Sequence, residues 1–547
     1  MRKIATLLCS VLLLCGVAKA RNYDAGGVVI DPSTITAFDI FNSAHTQFNT
    51  ITARSAAMAG AMTSLGADAS SMSINPAGLG MYQTNELTFT PMMSFTRSKT
   101  NAQSFGSNSK NRFAVGNLGF VVKLRESATG VTAVNMGLSY NRLADYNYRY
   151  SLSNAGFASN ASIADVYAGQ LTAGGITSAQ LKKNYDGFGN FLWSSYDPTY
   201  WGAILGYKTG LVNDASGRWG RDMLTDQAQV GSAAVVESKG SAGEWVWSLG
   251  INFNSKFYLG MSLAATVINQ QKSIYYGEEY RYASEPQLNY RMDYFNYDQQ
   301  TRVKGTGVNF KIGAIYRPIE NLRIGVAFHT PTYYNVTYSY QGGMTSAVKA
   351  INNVDEYTVD SKGYINPPFS ESTEVLIDDG DYSWRYTTPM RLMAGVSYTV
   401  AKQLILSVDY ERSWYNTMRM KNSPYGPLYK GFIKDEFEGS NTLRAGAEWR
   451  FIPQMAVRLG YGFWNGALDD DEIYSSAVIY RTEYMSTGLG IALSKHFTID
   501  VAYMYAKNNL TPYKTFYGYN AGEDFASPTF KSTISRHNAM LTLTVKF

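Results

Sequence analysis

The chain has 547 residues, 45% of them apolar and 14% aromatic, with 49 Gly, 42 Tyr and only 15 Pro. A net charge of +5 is small for this length, so no strong basic field argues for nucleic acid. Beyond residue 20 no apolar run approaches the roughly 18–20 residues of a membrane-spanning helix, which excludes helical spans.

Arg2 and Lys3 precede an apolar stretch from Ile4 to about Val17, which ends in Ala18-Lys19-Ala20. This is the pattern of a secretory signal peptide over 1–20, cleaved before Arg21. A lipoprotein reading at Cys15 is the alternative, but Leu14 stands where a small residue is usual. The two cysteines, Cys9 and Cys15, both lie inside the signal, so the exported chain has no disulfide to hold it. Losing Arg2, Lys3 and Lys19 takes Lys+Arg from 48 to 45 against 43 Asp+Glu, a net charge of about +2.

Residues 21–83 lack two-residue alternation and are rich in Ala, Ser, Gly and Met. The run Arg54 to Gly66 consists largely of small residues able to pack closely. A plug in a lumen suits such a segment, and a separate periplasmic domain is the alternative.

From residue 84 the pattern changes. Ala539, Leu541, Leu543, Val545 and Phe547 share one strand face, while Asn538, Thr542, Thr544 and Lys546 share the other. Leu322, Ile324, Val326 and Phe328 alternate with Arg323, Gly325 and His329. Met455, Val457, Leu459, Tyr461 and Phe463 alternate with Arg458, Gly460 and Gly462, and Trp245, Trp247, Leu249, Ile251 and Phe253 form another such face. About fourteen segments of this kind centre near residues 90, 118, 138, 249, 265, 310, 330, 392, 410, 445, 459, 488, 502 and 540. An even number of lipid-crossing strands with apolar outer faces predicts an all-β fold, a transmembrane antiparallel β-barrel closed over residues 84–547.

The connections alternate in length. Short turns fall near Ser127, Ser255, Pro318–Asn321, Ala401, Pro453 and Lys495, and long loops span about 151–243, 278–303, 342–381 and 511–531. Short turns belong to the periplasmic side and long loops to the outside. The 151–243 insertion has helix candidates at Ser162 to Leu171 and Thr177 to Lys183, with Thr177 or Ser178 capping the second. It either covers a mouth or forms a surface loop.

The segment Ala67-Asp68-Ala69-Ser70-Ser71-Met72-Ser73-Ile74-Asn75-Pro76-Ala77-Gly78-Leu79 resembles the N-terminal hatch of the FadL family of outer-membrane transporters. Gly305-x-Gly307-x-Asn309 and Arg323-x-Gly325 extend the resemblance weakly over 50–547. The resemblance implies a fourteen-strand barrel with a lumenal hatch over 21–83. It implies passive uptake of long-chain fatty acids or aromatic hydrocarbons, which leave sideways into the bacterial outer membrane. In that family the side opening lies at an inward kink of the third strand. Gly137 is the only glycine between Val131 and Tyr150, which places the opening near Gly137 and Ser139. Asn75, Pro76 and Ala77 are the hatch motif, and Asn-Pro is also an ordinary turn signal. The terminal Phe547 resembles the signal read by barrel-assembly machinery.

The inward-facing charges Lys311, Arg323, Arg391, Asp409, Glu411, Arg444, Glu448, Arg458 and Asp500 recur on neighbouring strands. Singly each fits an ordinary polar barrel interior, and together they suggest a network that anchors the hatch. Three of the arginines stand in Arg-x-Gly, where the glycine leaves room for the long side chain to lie flat.

His45, His329, His496 and His537 show no metal-binding spacing, and there is no G-x-S-x-G. No cofactor motif is present, since Gly305-x-Gly307 precedes an alternating strand and not a helix. Asp469-Asp470-Asp471-Glu472 is either a solvated loop or a calcium or lipopolysaccharide contact. The expectation is therefore a monomeric, non-enzymatic channel among outer-membrane lipid and lipopolysaccharide, with a hydrophobic small molecule as its ligand. A structural or adhesive barrel acting through its external loops is the alternative. An outer-membrane hydrolase is a third reading, with few histidines to support it.

Overall fold

The computed structural model describes residues 44–45, 47–101, 108–215, 217–221, 228–283, 289–352, 358–372, 383–421, 430–431, 433–434, 437–468, 479–520 and 523–547. The signal-peptide reading, residues 21–43 of the hatch and the acidic run 469–472 lie outside them.

Fourteen antiparallel strands close into a barrel; thirteen of the predicted centres fall within them, and the one near 330 falls at the break between the two parts of the seventh strand. They are β1 Glu86–Thr100, β2 Asn108–Glu126, β3 Val131–Asp145 continued by Tyr148–Ser159, and β4 Gln229–Phe253. Then come β5 Phe257–Arg281, β6 Tyr290–Ile319, β7 Leu322–His329 continued by Tyr333–Ala350, and β8 Ser383–Thr387 continued by Arg391–Val400. The rest are β9 Leu404–Trp414 continued by Arg419–Lys421, β10 Gly439–Ile452, β11 Met455–Asn465, β12 Ile479–Ala492, β13 Phe497–Leu510 and β14 Ser532–Lys546. β14 pairs with β1 from Glu86↔Lys546 to Thr100↔Ser532, which closes the ring.

Alternation builds the wall as expected. Trp245, Trp247, Leu263, Val267, Ile312, Val326, Leu459 and Leu541 are exposed outward, while their neighbours point into the lumen. On β5 the outward apolar run goes from Phe257 to Val267. Ten residue steps at ~3.3 Å cover about 33 Å, which a tilt near 40° reduces to about 25 Å, the height of a lipid-facing belt.

Above the belt several strands run further than the sequence suggests. β4 begins at Gln229 and not near 243, and β6 begins at Tyr290 and not near 303. The loop read as 151–243 is therefore 160–228. Its helices form where expected: α3 spans Ile163–Ala173 and α4 spans Ser178–Lys183, capped by Ser162 and Thr177 through reciprocal side-chain bonds. A further helix, α5, covers Trp201–Lys208.

α3 and α5 turn inward and cover the outer mouth. Ile163, Tyr167, Leu171, Trp201 and Leu205 pack with Tyr276, Phe295 and Tyr340 of the strands in one apolar cluster. The Trp201 ring lies 5.5 Å from that of Tyr340. Glu278 of β5 holds the start of α3, accepting bonds from Ser162 Oγ at 2.5 Å and the Ile163 amide at 2.9 Å. Tyr276 and Tyr280 hydroxyls also donate to it. Burial pushes this carboxyl above its ordinary value.

Candidate functional site

Residues 47–82 occupy the lower lumen and are buried almost throughout. Two short helices, α1 over Ala53–Ala57 and α2 over Ser71–Ile74, are followed by a 3₁₀ turn over Pro76–Met81. Asn75 caps that turn by accepting from the Ala77 amide at 3.1 Å, with Pro76 at the first position, where its missing N–H costs nothing. Its amide donates back to the Thr63 carbonyl at 2.7 Å, so Asn75 ties two parts of the segment together.

The barrel wall is indented to receive this segment. A side chain at Gly313 would collide with Asn75, one at Gly260 with Pro76, and one at Gly325 with Thr63. The glycines of Arg-x-Gly correct the sequence reading. Gly325, Gly446 and Gly460 face Thr63, Met58 and Ala59 of the segment, so they admit its backbone and do not make room for the arginines.

The lumenal charges come together in three groups. Arg444 and Arg391 both bind Glu411, at 2.5 Å and 3.4 Å. Arg458 joins Glu448 at 2.7 Å and Asp500 at 2.6 Å, and Arg54 of the segment reaches the same Glu448 at 2.9 Å. Lys311 pairs with Glu244, which also accepts from Ser73 of the segment at 2.5 Å. Asp409 accepts from the Thr63 amide at 2.7 Å. Arg323 stands apart and makes no ion pair among the described residues. It follows the turn at Glu320–Asn321 and is only half-buried at the rim, where water reaches it.

The sequence reading missed Arg54, Glu244 and Ser73. The signal for Glu244 was available, because outward Trp245 and Trp247 put residue 244 on the lumen face. Asp68 bonds locally to Thr52 Oγ1 and the Ser70 amide and not to a wall arginine. Inside the lumen the His329 ring meets the segment, its Nε2 lying 2.9 Å from the Ile74 carbonyl oxygen. With that oxygen as acceptor, Nε2 carries the proton.

The wall has one interruption beside this segment. The β2–β3 ladder runs from Glu126↔Ala133 to Asn117↔Asn141 and ends there, although both strands continue. β2 still pairs with β1 up to Asn108, and β3 still pairs with β4. The upper part of β3 bends across the lumen side of β1 and β2: Asn108 bonds Ser151 at 2.9 Å, Arg112 bonds Asn147 at 2.7 Å, and Ser98 meets the Arg149 carbonyl. Gly137 and Ser139 lie below this point, paired with Val121 and Gly119. Gly137 is needed elsewhere: a Cβ there would stand 2.6 Å from Met72 Sδ of the segment.

Next to the break is a small lumenal cavity of about 60 Å³. Ala144, Tyr146 and Tyr148 of β3 line it with Ile479, Leu510 and Ile534 of β12–β14, over a floor of His45 and Gln47. A cavity of this size lies far below the ~300–1,000 Å³ of a site for a drug-sized ligand. Phe547 sits at the seam, where its amide donates to the Asn85 carbonyl at 3.1 Å and its ring stacks 6.2 Å from Phe120.

No known family profile matches the chain, and no curated protein resembles it in sequence. Solved structures do resemble it. A Pseudomonas aeruginosa FadL homologue matches with a TM-score of 0.50 at 12% identity, covering 92% of this chain and 98% of that one. The chain shares the fold of that FadL homologue. The Pseudomonas putida toluene transporter TodX gives 0.49 at 11% identity, covering 92% and 99%. The Ralstonia pickettii toluene transporter TbuX gives 0.45 at 15%, covering 91% and 99%. At these identities the likeness concerns the FadL-like fold alone.

Proposed function

We propose that this chain is an outer-membrane channel for passive uptake of hydrophobic molecules, long-chain fatty acids or aromatic hydrocarbons, which leave sideways between β2 and β3. The observation that carries this reading is the end of the β2–β3 ladder at Asn117↔Asn141, above the lumenal segment and beside a cavity whose lining mixes Tyr146, Tyr148, Leu510 and Ile534 with Asp145 and Arg536. A water-filled pore would leave an alkyl chain facing a cost of about 0.8 kcal/mol per CH₂ on leaving apolar surroundings. A side opening at the height of the belt passes it from one apolar medium to another. The 60 Å³ cavity is the resting form, and a ligand enlarges it by displacing Tyr146 and Tyr148 at the break. The opening thus lies above Gly137 and Ser139, and residues 47–82 act as the hatch.

The test is uptake of a fluorescent fatty acid and of a labelled aromatic hydrocarbon by cells that lack other importers. Ile534→Trp fills the cavity and should abolish uptake without changing barrel yield. Unchanged uptake would remove the cavity from the route. Deleting Phe547 should lower the amount of barrel in the outer membrane while export continues, as measured by fractionation; an unchanged yield would deny it a part in assembly.

A further inference from the structure

The outward faces of β4, β5 and β6, above the apolar belt, form a cleft of about 1150 Å³. Tyr275 lies eight residues beyond Val267 on β5, which places it about 20 Å above the belt at ~3.3 Å per residue and a ~40° tilt. The floor is a cross-strand row of small side chains, Ala233↔Gly277↔Asn296. Tyr275 and Tyr294 flank it and are 48% and 43% exposed, so both rings present a face to the cleft. The upper wall is built and not frayed. Tyr364 donates to Asp293 Oδ2 at 2.8 Å, Arg291 to Asp293 Oδ1 at 2.9 Å, and the same guanidinium lies 5.3 Å over the Tyr282 ring. Beneath the floor, Tyr276, Glu278 and Phe295 are buried under the cap helices, so its shape is held from behind.

The chemistry of the lining selects the ligand class. A hydrocarbon would strip water from Glu279 and Asp298 and give nothing back. A phosphorylated or acidic ligand would meet the carboxylates Glu279, Asp293 and Asp298, which outnumber Arg281 and Arg291. An extended peptide needs a long free sheet edge, and here the β5–β6 ladder runs up to Glu279↔Tyr294, so that only Tyr280–Arg281 and Tyr290–Asp293 lie beyond it. A sugar meets all three conditions: its ring has an apolar face for tyrosine, and its hydroxyls both donate to carboxylates and accept from amides and guanidinium groups.

We propose that this outer-face cleft binds a neutral oligosaccharide, with its rings on Tyr275 and Tyr294 and its hydroxyls on Asn296, Asp298 and Glu279. Gly277 leaves room for the Asn296 side chain, whose Oδ1 would stand 2.8 Å from a Cβ there, so the amide lies over the floor within reach of a bound ring. The site is separate from the lumen and does not depend on hydrophobic uptake.

The test uses the full chain purified in detergent, on an array of neutral oligosaccharides and against lipopolysaccharide with and without its outer sugars. Each of Tyr275→Ala and Tyr294→Ala should weaken binding about tenfold, in line with the contribution of one aromatic contact. Asp298→Asn should weaken it through the hydroxyl contacts, while heat-modified gel mobility and fatty-acid uptake stay unchanged. Binding to intact but not trimmed lipopolysaccharide would identify the membrane's own glycan as the source, and binding to free oligosaccharides alone would identify a soluble one. No binding on either arm, or binding that survives the double tyrosine variant, would overturn the proposal.

Discussion

Asn141, the last residue of β3 to pair with β2, donates a 2.6 Å hydrogen bond to Ser73 of the lumenal segment. It also accepts from Asn117 across the ladder at 2.6 Å. The edge of the wall's interruption and the position of the segment are thus joined through one side chain, and Ser73 passes the connection on to Glu244 and Lys311. Ser73→Ala leaves the buried Asn141 amide short of an acceptor, at about 1–3 kcal/mol. A cysteine at Ser71, fully buried in the native protein, should then label faster with a periplasmic thiol reagent than it does with Ser73 intact. Equal labelling would mean that the segment is held without this bond.

Glu448 receives two guanidinium groups inside the lumen, one from Arg458 of the wall and one from Arg54 of the segment, and a third from the exposed Arg450. The two partners are not equivalent. Glu448→Ala takes the acid from Arg54 and leaves Arg458 with Asp500 alone, and breaking such a buried pair costs about 3–5 kcal/mol. Arg54→Ala leaves Glu448 with Arg458 and should cost less. The temperature at which the compact form is lost on gels should fall clearly for Glu448→Ala and slightly for Arg54→Ala. The reverse order would place the main load on the segment.

Glu278 makes the docking of α3 depend on pH. Its carboxyl is raised in the fold by burial, so the folded state favours the protonated form. The stabilisation is fully present below the ordinary carboxylate value of about 4.5 and is lost as pH rises through the folded value. Hydrogen exchange in 163–173, corrected for intrinsic rates, should show tighter protection at pH 4 than at pH 7. Glu278→Gln should flatten that difference, and an unchanged pH profile in this variant would contradict the assignment.

Much of the wall was legible in the sequence because each lipid-crossing strand is apolar on one face only. The outer halves of the strands were not. From Gln270 to Arg281 the outward side meets water and the inward side meets the cap, so Tyr276 and Tyr280 point inward while Tyr275 points outward, and the alternation blurs. The lumenal charges were visible as a group, but their partners depend on strand register and on a segment with no periodicity, which hid Arg54. Arg-x-Gly showed that the wall is indented and could not show what fills the indentation. The proposed side opening has no glycine signal, because pairing stops at Asn141 and β3 breaks at Tyr146–Asn147, where no glycine stands.

The central claim is lateral release between β2 and β3, and Arg112 and Asn147, bonded at 2.7 Å, face each other across the interruption. Cys9 and Cys15 are the chain's two cysteines and both fall in the expected signal peptide, so Arg112→Cys with Asn147→Cys can be joined by a short reducible thiol crosslinker. Uptake of fluorescent fatty acid should fall by at least an order of magnitude in the crosslinked protein and recover on reduction, because the exit itself has been closed. Full uptake with the crosslink intact would show that hydrophobic molecules leave by another route.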